Sequence, residues 1–187
     1  MNPADVLDTG DAPVVVDVQN DFCPDGALPV PEGDRVVPVM NRWIAAAAAR
    51  GVPVYASRDW HPRNHLSFDT QGGPWPVHCV QDTAGAAFHP DLALSDDAIV
   101  VSKGTRFDKD QYSAFDDTGF AEELARQGVK RIVVGGLAED VCVHATARDG
   151  RSHGFDVVVI RDGTRAISDE SRQKTEADLE SAGVAFV

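Results

Sequence analysis

Short β-branched runs alternate along this chain with stretches whose apolar residues recur every three or four positions. The runs at 13–17, 52–57, 98–102, 131–135, 156–160 and 184–187 predict strands, and the intervening periodic stretches predict helices over 35–50, 118–127, 141–152 and 169–182. In the first helix Val36, Val39, Met40, Trp43, Ile44 and Ala47 fall on one stripe, and Gly51 can supply a left-handed stop. Ser168 is placed to cap the last helix, with Asp169 and Glu170 in its first turn, and Gly128 and Gly183 stand where two helices should end. Strands such as Val157-Val158-Val159-Ile160 are apolar on both faces, as expected when helices cover both sides of a parallel sheet. The pattern therefore predicts an α/β protein: a three-layer α/β/α sandwich around a central six-stranded parallel sheet. One stretch breaks the rhythm. From Asp59 to Asp97 the chain is rich in Pro, Gly and His with little periodicity, and long loops of that kind inside a domain usually carry function.

Composition narrows this picture. The 187 residues show no compositional break, so residues 1–187 are read as a single domain. A formal net charge of −13 makes nucleic acid or an anionic membrane surface an unfavourable partner. The three cysteines, Cys23, Cys79 and Cys142, are too few and too scattered for a disulfide framework and fit a reducing compartment. The first eleven residues lack the basic and apolar segments of an export signal, and no run approaches the ~20 apolar residues of a membrane span. The expectation is a soluble, cytoplasmic protein.

Four reactive side chains stand at the ends of four predicted strands: Asp17, Asp59, Lys103 and Cys142. In an open parallel sheet, ligands bind outside the carboxyl ends of the strands, so residues distant in sequence meet there. Cys142 follows a strand and a small-residue turn into a helix. Unpaired N–H groups and the helix dipole at that position should favour thiolate over thiol and could also bind an oxyanion. Taken alone, Cys142 would be read as a small buried apolar residue, and Asp17 with Lys103 as a structural ion pair. A charged group at a buried strand end is costly unless paired or used, and their joint placement favours a cysteine nucleophile. Asp59-x-His61, with His78 further along the loop, offers one carboxylate and two imidazoles, a set suited to a transition metal with positions left open. By themselves these histidines would pass for surface groups. The chain contains neither G-x-G-x-x-G after the first strand nor G-x-x-x-x-G-K-[ST], which counts against a nucleotide-binding module.

Five segments taken together carry a resemblance. They are Val16-Asp17-Val18-Gln19-Asn20-Asp21-Phe22, Ser57-Arg58-Asp59-Trp60-His61 continuing to Phe68, Trp75-Pro76-Val77-His78-Cys79-Val80, Val101-Ser102-Lys103-Gly104, and Gly136-Leu137-Ala138-Glu139-Asp140-Val141-Cys142-Val143. In this order they resemble the isochorismatase-like cysteine hydrolases, and within them the nicotinamidase (pyrazinamidase) branch, over nearly the whole chain. The resemblance implies an amidohydrolase that converts nicotinamide, and pyrazinamide with it, to the acid and ammonia in NAD salvage. It implies a catalytic triad of Asp17, Lys103 and Cys142, with the N–H groups of Ala138 and Cys142 turned toward an oxyanion by a cis Leu137-Ala138 bond. It also implies a divalent metal ion on Asp59, His61 and His78, zinc in the first place and iron or manganese as alternatives, that orients the ring nitrogen. His65 is a further candidate ligand, although its spacing from His61 is shorter than in the family. Phe22, Leu28, Trp75 and Tyr112 match or adjoin the ring pocket. The implied partner is a small aryl amide, and homo-oligomerisation is left open. The alternatives are an isochorismatase, a carbamoyl or ureido amidohydrolase, and a non-catalytic α/β binding module.

Overall fold

Successive residues of a strand point to opposite faces, and the core divides accordingly. In the computed structural model, which describes residues 2–187, six strands form one sheet: β1 (Asp11–Val16), β2 (Tyr55–Asp59), β3 (Ile99–Lys103), β4 (Arg131–Leu137), β5 (Asp156–Arg165) and β6 (Ala185–Phe186). All neighbours pair in parallel, in the order β3-β2-β1-β4-β5-β6. Four helices cover it: α1 (Val36–Arg50), α2 (Phe120–Arg126), α3 (His144–Ser152) and α4 (Asp169–Ser181). Val14, Val16, Ile132, Val134, Val157 and Val159 pack with residues of α2, α3 and α4, including Phe120, Leu124, Ala147 and Leu179. Val15, Val133 and Ile160 pack on the other face with Met40, Ile44 and Ala47 of α1 and with Cys79, Ala86 and Leu92 of the long loop. The three-layer sandwich expected from the sequence is present.

Topology then fixes where a site can form. The chain steps from β1 outward to β2 and β3, returns past β1 to β4, and continues the opposite way to β5 and β6. Right-handed crossovers in opposite directions put their helices on opposite faces, and the strand order reverses between β1 and β4. A crevice opens at that reversal, at the carboxyl ends of the strands.

Most boundaries fall where the pattern put them, and the exceptions have local causes. The second strand begins at Tyr55 and runs to Asp59 rather than spanning 52–57, because Pro53 has no N–H to give a ladder. The fifth continues past residue 160 to Arg165, through a register shift against β4 between Val134 and Gly136. The helix expected over 141–152 starts with a π turn, Glu139–Val143, before α3. Gly51, Gly128 and Gly183 all adopt the left-handed conformation, with φ of 67°, 73° and 81°. Ser168 caps α4 through a reciprocal bond pair with Ser171. Among the described residues, no helix is long and apolar enough to cross a membrane.

Candidate active site

The crevice gathers the side chains at the strand ends. Asp17 follows β1, where the backbone turns out of the sheet with φ of 48°, a conformation Asp tolerates better than most residues. Lys103 ends β3, and Cys142 lies in the π turn after β4. The Lys103 ammonium is wholly buried, 2.8 Å from Asp17 Oδ2, 2.6 Å from Asp59 Oδ1 and 3.5 Å from Cys142 Sγ. Ser57, in β2, donates to Asp17 Oδ1 at 2.6 Å. The other oxygen, Oδ2, touches the ammonium without a well-aligned hydrogen bond and has no hydrogen-bond partner among the described residues. A carboxylate oxygen of Asp17 lies within 4.8 Å of the Cys142 sulfur.

Electrostatics corrects one expectation. Burial pushes the Cys142 thiol well up, Asp17 and Asp59 push it further, and Lys103 only partly offsets them. Burial and the two carboxylates thus work against the thiolate expected from its place at the start of a helix. Burial also raises Asp17, against the pull of Lys103. Burial opposes the charge on Lys103, but Asp17 and Asp59 outweigh it and hold the ammonium well above its ordinary range. Asp59 goes the other way. Its burial cost is exceeded by Lys103 and His61, which keep it a carboxylate. One buried cation thus serves two carboxylates and a thiol, and their titrations belong to the group.

Beside this cluster, Asp59, His61 and His78 present ligand atoms within 4.8 Å of one another. His61 Nε2 and His78 Nε2 stand 3.6 and 3.9 Å from Asp59 Oδ2. Each ring turns its Nδ1 toward a backbone carbonyl, Gly104 O at 3.0 Å and Pro76 O at 2.7 Å. Those bonds fix the tautomer that aims both Nε2 lone pairs at one point, the usual support for a metal-binding histidine. Atom spacings of this size suit one ion with bonds of about 2 Å to each ligand. Burial holds His78 neutral, the form a metal requires. Burial acts likewise on His61, but the adjacent Asp59 carboxylate outweighs it and raises that imidazole. His65 is placed differently. It stacks on His61 with ring centroids 4.3 Å apart, while its own nitrogens face Ser67 Oγ at 2.7 Å and Lys109 O at 3.3 Å. It lies behind the three-atom set as a packing and orienting group.

Gly104 is a residue that sequence reasoning quoted but did not explain. Its φ is +64°, and a Cβ there would stand 2.4 Å from His61 Cε1. Gly104→Ala should therefore displace His61 as well as strain the backbone. We expect metal affinity to fall about 10- to 100-fold, the usual size of a lost supporting contact, measured by competition with a chelator.

A pocket joins the two clusters. Phe22, Leu28, Trp75 and Tyr112 line it together with Ala138, Cys142 and the three metal-ligand candidates, so every residue assigned to the ring pocket faces it. Trp75 Nε1 donates to Tyr112 Oη at 3.0 Å across its mouth. The Leu137-Ala138 bond is cis, and among the described residues the Ala138 N–H makes no backbone hydrogen bond. Val141, Ile167 and Asp110 also line the pocket and were missed, because nothing in their local sequence marks them.

Fold and site together define an α/β protein with a buried Asp–Lys–Cys cluster beside a metal-binding set, the two opening on one apolar pocket. The isochorismatase domain model matches residues 11–187, and the chain belongs to the isochorismatase family. A nicotinamidase of Escherichia coli (strain K12) is 40% identical over 188 residues, covering 89% of this chain and 88% of that protein. The pyrazinamidase of Pyrococcus horikoshii, solved in complex with zinc, is similar with a TM-score of 0.93 and 46% identity, over 95% of this chain and 98% of that one. PnC1 from L. infantum, solved in complex with nicotinate, gives a TM-score of 0.88 at 39% identity, over 96% and 92% of the two chains.

Proposed function

We propose that this single-domain protein is a cytoplasmic nicotinamidase that cleaves nicotinamide to nicotinic acid and ammonia, with pyrazinamide as a second substrate. The observation that carries the reading is the convergence of Asp17, Lys103 and Cys142 beside Asp59, His61 and His78, with Cys142 and the three metal-ligand candidates all lining one apolar pocket. A flat heteroaromatic amide matches that layout, apolar on its faces and polar at its two ends.

Asp17 Oδ2 takes the proton from Cys142 Sγ as the sulfur attacks the carboxamide carbon. Its raised basicity makes it a better acceptor than an exposed carboxylate, and Lys103, at 3.5 Å, steadies the developing thiolate. The Ala138 and Cys142 N–H groups receive the oxyanion. Asp17 returns the proton to the departing ammonia. A thioester remains on Cys142, and a water deprotonated by Asp17 hydrolyses it to the acid. Asp59, His61 and His78 would hold a zinc ion, which when bound supplies a Lewis-acidic contact to the ring nitrogen and so orients the substrate. Phe22, Trp75 and Tyr112 confine the ring.

An ammonia-release assay on nicotinamide and pyrazinamide, with zinc content measured on the same preparation, tests this. Ammonia from both amides, lost on chelation and restored by zinc, is the expected result. Release only from carbamoyl or ureido substrates would move the chain to another branch of the family.

A further inference from the structure

The turn that follows Asp17 holds the two halves of the metal-ligand set, which come from different parts of the chain. β1 ends at Val16, and Asp17 N–H makes the last bond to β2, at Ser57 O (3.1 Å). Two residues further along β2, Asp59 pairs with Lys103 of β3 on one edge and has no strand beside it on the β1 edge. The side chain of Gln19, itself fully buried, fills that place. Its Oε1 accepts from Asp59 N at 2.8 Å, and its Nε2 donates to Asp59 O at 2.8 Å. A primary amide offers the same donor and acceptor as a peptide, so Gln19 continues the ladder after the real strand has turned away. Nε2 also donates to Ala86 O at 2.9 Å, which ties the long loop to the same point.

Asp21 does the corresponding work for His78. Its Oδ2 accepts from Cys79 N at 2.7 Å, immediately after His78, and its Oδ1 accepts from Ala27 N at 3.2 Å, beside the pocket residue Leu28. The backbone of the turn is bonded to the same loop, Asn20 N to Ala87 O and Asp21 N to Gly85 O, both at 3.0 Å. A Cβ at Gly85 would stand 2.3 Å from the Asp21 carboxylate, so the loop is shaped around that group. Phe22, next in the turn, packs on the His78 ring at 5.6 Å between centroids.

We infer that Gln19 and Asp21 are positioning residues that set the separation of Asp59 and His78, so that metal affinity is governed by a turn containing none of the ligands. The inference rests on the metal reading of Asp59, His61 and His78 given above. Removing either side chain frees one ligand's backbone while leaving all three ligands in place, and loss of such supporting contacts typically costs about 10- to 100-fold in metal affinity.

The test uses the full chain with zinc as the probe, in a competition titration against a chromogenic chelator. Gln19→Met and Asp21→Asn should each raise the zinc Kd about 10- to 100-fold, and ammonia release should return once zinc exceeds the new Kd. Circular dichroism of the metal-free variants separates a folding defect, which zinc could also mend by binding the native state, from a loss of affinity in a folded protein. The inference is overturned if both variants bind zinc within about threefold of wild type, or if lost activity is not restored by excess zinc. Should Gln19→Met fail to fold, Asp21→Asn decides, since Asp21 is only half-buried and the change keeps its volume. A wild-type protein that binds no zinc removes the metal reading and the clamp together. One that binds zinc but leaves nicotinamide intact removes the proposed substrate and leaves the clamp to be judged on affinity alone.

Discussion

Cys142→Ala is expected to lower kcat for ammonia release from nicotinamide by about 10⁴-fold or more, with zinc binding unchanged, because the variant loses the sulfur that faces the pocket and attacks the carboxamide. No other thiol can take over. Cys23 and Cys79 pack in the core on the other face of the sheet, and neither lines the pocket that Cys142 faces. Asp17→Asn should cost a similar factor, since Asp17 Oδ2 carries the thiol proton and later the proton of the leaving ammonia. The two losses should not add, because a nucleophile without its base and a base without its nucleophile are equally idle. The double variant is therefore expected to be no slower than either single one. Steady-state assays on the three proteins, with circular dichroism to establish folding, decide the matter. A Cys142→Ala protein retaining about a tenth of wild-type turnover would remove the cysteine from the chemistry.

How far the sequence reaches can be judged residue by residue. Six strands and four helices follow from periodicity because each buries an apolar stripe or a two-sided apolar run, and the helix stops follow from Gly51, Gly128, Gly183 and Ser168, whose conformations are local properties. The strand-end rule places Asp17, Asp59 and Lys103 in one crevice before any distance is known. The remainder depends on non-local geometry. Gln19 reads as an ordinary polar residue, and only the departure of β1 at Asp17 gives its amide a strand to imitate. Ser57 reads as part of a strand, and its hydroxyl matters because Asp17 turns back over it. The family resemblance admits His65 as a ligand despite its short spacing from His61, while the Ser67 hydroxyl and the Lys109 carbonyl face its two nitrogens. The Cys142 thiol was misjudged for a related reason. A helix-start argument weighs the dipole, but the depth of the site and its two carboxylates weigh more.

Lys103→Met should destabilise the protein by about 3–5 kcal/mol at neutral pH and abolish turnover, since it leaves two buried carboxylates facing each other without their counter-charge. Methionine keeps most of the side-chain volume, so the loss is electrostatic rather than a cavity. The dependence on acidity distinguishes the two causes. Without the ammonium, burial and mutual repulsion raise the folded pKa of Asp17 and Asp59 above their unfolded values. A group raised in this way stabilises the fold when protonated, and that contribution disappears as pH rises through its folded pKa. The variant should therefore recover stability as pH falls. The wild type behaves oppositely at Asp59, which Lys103 and His61 hold low, so that its contribution is lost in acid. The wild-type Asp59 contribution is lost only below the unfolded carboxylate pKa of about 3.9, so between pH 8 and pH 5 it is the variant's recovery that narrows the gap between the two proteins. Urea denaturation of metal-free protein at the two pH values measures it directly, with chelator present so that no bound cation replaces the missing charge. A deficit that stays constant across that range would mean that Lys103 acts through packing, and the charge cluster would lose its claim to hold the site together.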